Sequence, residues 1–142
     1  MLFTIRCKLV AYLIQEMSND LMSENKLASV LMDYLKQLPP PAVDLELRAL
    51  YTYEGDEEGV RLLQLLLQWL AKHTRLGNNY EVLQAYIHRT LTIYSQTIIQ
   101  LPILQVDLQA LYEAHSNTSS RFRNLIQKNL CLLKLIGNLP IT

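Results

Sequence analysis

The segment Glu57-Glu58-Gly59-Val60-Arg61-Leu62-Leu63-Gln64-Leu65-Leu66-Leu67-Gln68-Trp69-Leu70-Ala71-Lys72-His73-Thr74-Arg75-Leu76 decides the fold. On a 3.6-residue wheel Arg61, Gln64, Gln68, Lys72 and Arg75 share one narrow sector, while Leu62, Leu63, Leu65, Leu66, Leu67, Trp69 and Leu70 occupy well over half the circumference. A helix with so thin a polar stripe is covered by neighbours on two sides. It is therefore the expected centre of a helical bundle, with Leu66 and Trp69 among the most buried side chains. Its ends are marked locally. Asp56 reads as the N-cap, Glu57 and Glu58 place negative charge in the first turn, and Gly77 is a left-handed stop.

Outward from this helix the pattern stays helical. Strand alternation is almost absent, and four glycines and five prolines in 142 residues leave room for long elements. Helices are expected over about 2–17, 24–38, 41–50, 57–76 and 79–100, and a sixth from Pro102 onward. Ser18-Asn19-Asp20 separates the first two, Pro39-Pro40-Pro41 the next two, and Tyr51 to Gly55 reads as a loop. Pro41 suits a first helical turn, and Asp44 and Arg48 are spaced to pair along one face. Asn78 or Asn79 is placed to cap the fifth helix, on which Val82, Leu83, Tyr86, Ile87, Tyr94 and Ile98 face inward. The fold class is all-α: a bundle of about six helices with a long C-terminal pair, in a single helical domain over residues 1–142.

The last segment carries a heptad seam. Leu104, Leu108, Leu111, His115, Thr118, Phe122, Leu125, Asn129, Leu132 and Ile136 advance by alternating four and three. As one helix the seam is about 50 Å long at 1.5 Å per residue, more than a domain with a radius of gyration of about 14–15 Å requires. Ser116-Asn117-Thr118-Ser119-Ser120 has poor helix propensity. The phase of the seam nevertheless runs through it unbroken, which predicts one continuous helix over 103–136. Leu111, Thr118, Phe122, Leu125, Asn129, Leu132 and Ile136 are the candidate partner-facing residues, with Arg121 and Lys128 flanking the stripe where long basic stems cover apolar surface and meet acids. His115, Thr118 and Asn129 are polar residues in seam positions, read either as locally exposed or water-satisfied core or as a device for register or partner choice.

Charge is zero overall but uneven. Residues 1–60 hold five basic and ten acidic side chains and residues 61–142 hold eight and three, with no acid after Glu113. The asymmetry favours packing of one half on the other, or an acidic partner at the C-terminal end. No apolar run approaches the ~20 residues that span a bilayer, so no membrane partner is expected. The N-terminus has no acid before Glu16, as in some mitochondrial presequences, but its pattern continues into an amphipathic helix and lacks their serines. Cys7 and Cys131 lie far apart and are read as isolated reduced thiols.

Catalytic chemistry finds no motif. His73, His88 and His115 fall on different helices or faces, no glycine-rich loop follows a strand, and Asp56-Glu57-Glu58 is explained as a helix N-terminus. No catalytic, cofactor-binding or metal residue, and no cofactor, is expected. Tyr12, Tyr34, Tyr86 and Tyr94 could stack nucleic-acid bases, but they lie on otherwise apolar faces and are read as core.

Two further stretches carry a resemblance. Ala42-Val43-Asp44-Leu45-Glu46-Leu47-Arg48-Ala49-Leu50 is similar to a pattern Ala-Ile-Asp-Leu-Glu-Leu-Arg-Ser-Leu, and Tyr80-Glu81-Val82-Leu83-Gln84-Ala85-Tyr86 to Asp-Phe-Glu-Leu-Ala-Gln-Ala-Tyr-Leu. In this order and spacing they resemble the C-terminal helical domain of the tandem WD-repeat subunit of UTP-B, a subcomplex of the small-subunit processome associated with the U3 small nucleolar ribonucleoprotein. The likeness runs loosely over residues 3–136. It departs at Tyr51 to Gly55, where the family more often carries Ser-Pro-like residues. The resemblance implies a non-catalytic scaffold in processome assembly and small-subunit rRNA processing, in the nucleus and nucleolus. Implied partners are helical tail domains of other WD-repeat subunits of UTP-B, as a homo- or hetero-oligomer, with pre-ribosomal ribonucleoprotein contacted indirectly. Two β-propellers precede this domain in the family, and neither is read in this chain. The alternative is a free-standing TPR-like or HEAT-like adaptor, against which stands the lack of an internal repeat of about 34–47 residues.

Overall fold

A computed structural model of the chain describes residues 7–18, 29–77 and 79–137, with side chains in the last helix described as far as residue 121 and at 123, 124 and 127. The elements are α1 (Lys8–Ser18), α2 (Val30–Gln37), α3 (Pro40–Arg48), α4 (Glu57–Leu76), α5 (Tyr80–Gln100) and α6 (Pro102–Gly137). No strand occurs among the described residues, so the molecule is an all-α bundle.

α4 lies at its centre. Leu62, Leu63, Leu66, Leu67, Trp69 and Leu70 are all buried, whereas Arg61, Gln68 and Arg75 are exposed on the polar stripe. α1, α5 and α6 all pack on α4. Asp56 caps α4 with one carboxylate oxygen on the Gly59 N–H (3.1 Å) and holds the preceding loop with the other on the Thr52 N–H (3.3 Å). Residue 59 must be glycine. A Cβ there would lie 2.6 Å from that Asp56 oxygen and 2.8 Å from the Leu50 carbonyl, inside any real contact. Gly77 closes α4 at φ 76°, the left-handed conformation that glycine adopts without penalty.

The direction of packing follows from pairs of contacts. Gln68 and Thr74 of α4 meet Asp107 and Thr118 of α6 in ascending order, so the two helices run parallel. α5 runs antiparallel to α6: its Ile99 carbonyl accepts from Gln105, Gln84 meets His115, and Tyr80 meets Ser119. α6 is one 36-residue helix through the Ser116 to Ser120 run, as the seam predicts.

Two local expectations shift. α2 starts at Val30 rather than near 24, because Ser29 is extended and its hydroxyl accepts from the Met32 N–H as an N-cap. Residues 24–28, the Asn19-Asp20 break, residues 2–6 of the expected first helix and Asn78 lie outside the described residues. Asn79 sits at the N-cap position of α5, but its side chain accepts no cap hydrogen bond; its oxygen accepts from Lys36 instead.

One carboxylate fastens the N-terminal helices to the centre. Glu16 of α1 accepts from the Ser29 hydroxyl (2.9 Å) and the Trp69 indole N–H (3.1 Å), and its second oxygen lies 3.3 Å from His73 Nε2. Burial alone would raise its pKa, but the hydrogen bonds from His73, Ser29 and Trp69 outweigh that and hold it below its ordinary value of 4.5. A carboxylate with a depressed native pKa stabilises the fold above its unfolded pKa, and loses that effect as pH falls through the native one. Glu16→Gln should therefore cost about 2 kcal/mol at pH 7, the scale of hydrogen bonds to a charged group. In urea titrations its deficit against the parent chain should shrink as pH drops below 4.5. A deficit constant from pH 7 to pH 3 would show that Glu16 carries no charge-dependent role.

Candidate protein-interaction site

The first family-like stretch forms α3 and the turn after it, and nearly all of it joins helices. Val43, Leu47 and Leu50 are buried. Glu46 reaches the open N-terminus of α1, accepting from the Leu9 N–H (3.1 Å), and its other oxygen accepts from the Tyr34 hydroxyl of α2 (3.0 Å). α1 has no acidic residue in its own first turn, so Glu46 supplies the negative charge that the helix end favours. Burial, and then the hydrogen bond and charge of Glu46, push the Tyr34 phenol up to about 12 and keep it a donor. Cys7, half-buried beside the Glu46 carbonyl, is pushed up to about 11 by burial and remains a thiol; the Cys131 side chain lies outside the described residues.

Asp44 does not form its expected pair with Arg48. It takes a two-pronged bond from Arg89 of α5, at 2.8 and 2.6 Å, because the guanidinium fork matches a carboxylate better than a neighbour one helical turn away. The Arg89 hydrogen bond holds the Asp44 carboxyl below its ordinary range. The pair ties an acid of the N-terminal half to a base of the C-terminal half, as the charge asymmetry suggests. Tyr94 of α5 completes the junction. Its hydroxyl donates to the Leu47 carbonyl and accepts from the Tyr51 N–H (3.3 Å), capping the end of α3. Tyr86 and Tyr94 are buried, and Tyr12 and Tyr34 pack on each other at 4.9 Å, so these four rings pack rather than stack on a ligand.

The second stretch opens α5 and receives α6. Leu83 and Tyr86 are buried, Tyr80 shares a hydrogen bond with Ser119 (3.0 Å), and Gln84 Oε1 meets His115 Nε2 (2.7 Å). The Gln84 amide nitrogen is buried without a partner among the described residues. It borders an open groove of about 740 Å³ between α5 and α6, lined by apolar residues such as Ile87, Leu91, Leu108 and Tyr112.

The candidate seam divides at this level. Leu104 is fully buried, and Leu111 and Thr118 are 2% and 7% exposed, all within the chain's own bundle. The Thr118 hydroxyl donates to the Thr74 carbonyl near the end of α4 (3.0 Å). Leu111 and Thr118 are thus engaged inside the chain's own bundle. Arg121 is exposed. The side chains of Phe122, Leu125, Lys128, Asn129, Leu132 and Ile136 lie outside the described residues, though the α6 backbone carries all six. Sequence reasoning missed Glu16, Glu46 and Arg89 as joining residues. Of the three only Glu46 stands between two apolar neighbours, Leu45 and Leu47, and that does not name a partner.

These features define a helical-bundle domain whose motif residues are spent on joining its helices. A comparison with protein families then places it. The Utp21 specific WD40 associated domain matches residues 12–137. The chain belongs to that family, which makes it a Utp21-type ribosome-biogenesis protein. No curated protein matches the chain.

Thr118→Val should lower stability by about 1 kcal/mol, the net worth of one buried hydrogen bond, and leave association with partners unchanged. Calorimetry with a binding assay checks both. An unchanged melting temperature with weakened binding would place Thr118 in the interface after all.

Proposed function

We propose that this chain is a non-catalytic scaffold domain acting within the UTP-B subcomplex of the small-subunit processome, in nucleolar assembly and small-subunit rRNA processing. Its partners are helical tails of other WD-repeat subunits, and its contact with pre-ribosomal ribonucleoprotein is indirect. The observation that carries the reading is the length of α6. It has 36 residues, whereas the two helices that cover it, α4 and α5, have 20 and 21. α6 begins where α5 ends, so its excess of about 15 residues lies at the C-terminal end, about 22 Å of helix at 1.5 Å per residue. The seam continues into that excess with Phe122, Leu125, Asn129, Leu132 and Ile136. Family membership and the use of both motifs for internal joining support the same view.

Phe122→Asp should reduce co-sedimentation of the tagged full chain with processome particles from nuclear extract at least about tenfold, since a charge is forced into an apolar contact. Its melting temperature should stay near that of the parent. Full co-sedimentation of a folded Phe122→Asp chain would move the interface away from this part of α6.

A further inference from the structure

We propose that the groove between α5 and α6 binds an extended, uncharged apolar peptide segment of another polypeptide. The groove lies along the first half of α6, on a face that the scaffold reading does not use.

The groove is preformed. Gln105 donates to the Ile99 carbonyl at one end (3.0 Å), and Gln84 Oε1 meets His115 Nε2 at the other (2.7 Å). These bonds fix the antiparallel helices at both ends, and the space of about 740 Å³ between them stands open in the free chain. That volume is within the range of ordinary ligand clefts. From residue 105 to 115 of α6 the groove runs about 15 Å at 1.5 Å per residue. An extended chain rises about 3.3 Å per residue, so about five residues fill it. Its walls are apolar and meet solvent. Ile99 is 67% and Tyr112 66% exposed, and Leu91 and Leu108 are partly buried. Single exposed apolar side chains need no explanation, but several around one concavity mark a binding surface.

The polar groups select the occupant. None of the twelve lining residues is Asp, Glu, Lys or Arg; the five polar ones are three glutamines and two histidines. A charged segment would be stripped of water there with no counter-charge to meet it. Gln84 adds a donor in want of an acceptor. Its amide nitrogen is buried with no partner among the described residues, while its oxygen is held by His115. A buried donor left unmade is costly, so a ligand that brings a carbonyl gains affinity. An extended segment offers carbonyls along its whole length, because it makes no internal backbone bonds. A helix has spent its backbone acceptors on itself, and the charged face of a surface helix finds nothing to pair with in this lining. Successive side chains of an extended segment point to opposite sides, so apolar residues two apart fill the groove while those between them face water.

Random peptides of about 16 residues, long enough for a helix or an extended strand, are displayed on phage and selected on the immobilised full chain. The recovered peptides should share a short uncharged stretch with apolar side chains two apart. The synthetic consensus peptide should shift the backbone amide resonances of Leu91, Leu108 and Tyr112. Gln84→Glu keeps an oxygen for His115 and replaces the unpaired nitrogen with an oxygen; it should weaken binding about tenfold or more. Tyr112→Ala alters only an exposed wall of the groove, should weaken binding severalfold, and decides the matter if the Gln84 variant does not fold. Recovered peptides with charged flanks and apolar residues three and four apart would make the occupant a helix and overturn the proposal. Dimerisation of the chain that Tyr112→Ala abolishes would make it a second copy and overturn it equally. So would a selection without a common pattern, or a consensus peptide whose binding both variants leave unchanged.

Discussion

α4 imposes the constraint from which the rest follows. Its polar residues fill one narrow sector, so a helix of 20 residues has to be enclosed on every other side. A bare α4 would present Leu62, Leu66, Trp69 and Leu70 to water, at about 1.5–3 kcal/mol for each large side chain. α1, α5 and α6 remove that surface. Each is then fixed by a polar bond that apolar packing alone could not orient: Glu16 to Trp69 and His73, Tyr80 to Ser119, and Thr118 to the Thr74 carbonyl. α3 serves as the outer clamp. Through Asp44, Glu46 and the Leu47 carbonyl it reaches α5, α1, α2 and Tyr94 at once.

The clamp explains why a family-like motif can be rich in charge without being a site for chemistry. Asp44 and Glu46 are both committed to bonds inside the bundle, one to a guanidinium and one to a helix N-terminus and a phenol. Leu45, between them, is largely exposed, as its place on the outer face of α3 requires. The second motif does the same work for α6. The length of α6 becomes meaningful because its first half is anchored so firmly along α4 and α5.

Much of this was legible in the sequence because it is local. The wheel of α4, its Asp56 cap and its Gly77 stop each depend on residues within one or two turns. The continuous α6 was legible from the seam phase, although Ser116 to Ser120 argued against it. The structure supplies the reason for those small polar residues: they pass the end of the α4–α5 hairpin, where Thr118 satisfies a carbonyl of the last turn and Ser119 meets Tyr80. Distant pairings were not legible. Asp44 has a plausible neighbour in Arg48, and nothing local reveals that Arg89 is presented across the bundle at the better angle. The start of α2 was missed for a related reason, since Ser29 becomes a cap only when its hydroxyl is held between Met32 and Glu16.

As proposed, α6 has a part that builds the bundle and a part that meets another molecule. A chain ended after Ser120 separates the two. Its thermal unfolding and its binding to processome particles can be followed side by side. The shortened chain should show a cooperative transition close to that of the full chain, because Leu104, Leu111 and Thr118 are retained, together with loss of particle binding. A truncated chain that fails to fold, or one that folds and still binds fully, would contradict the division.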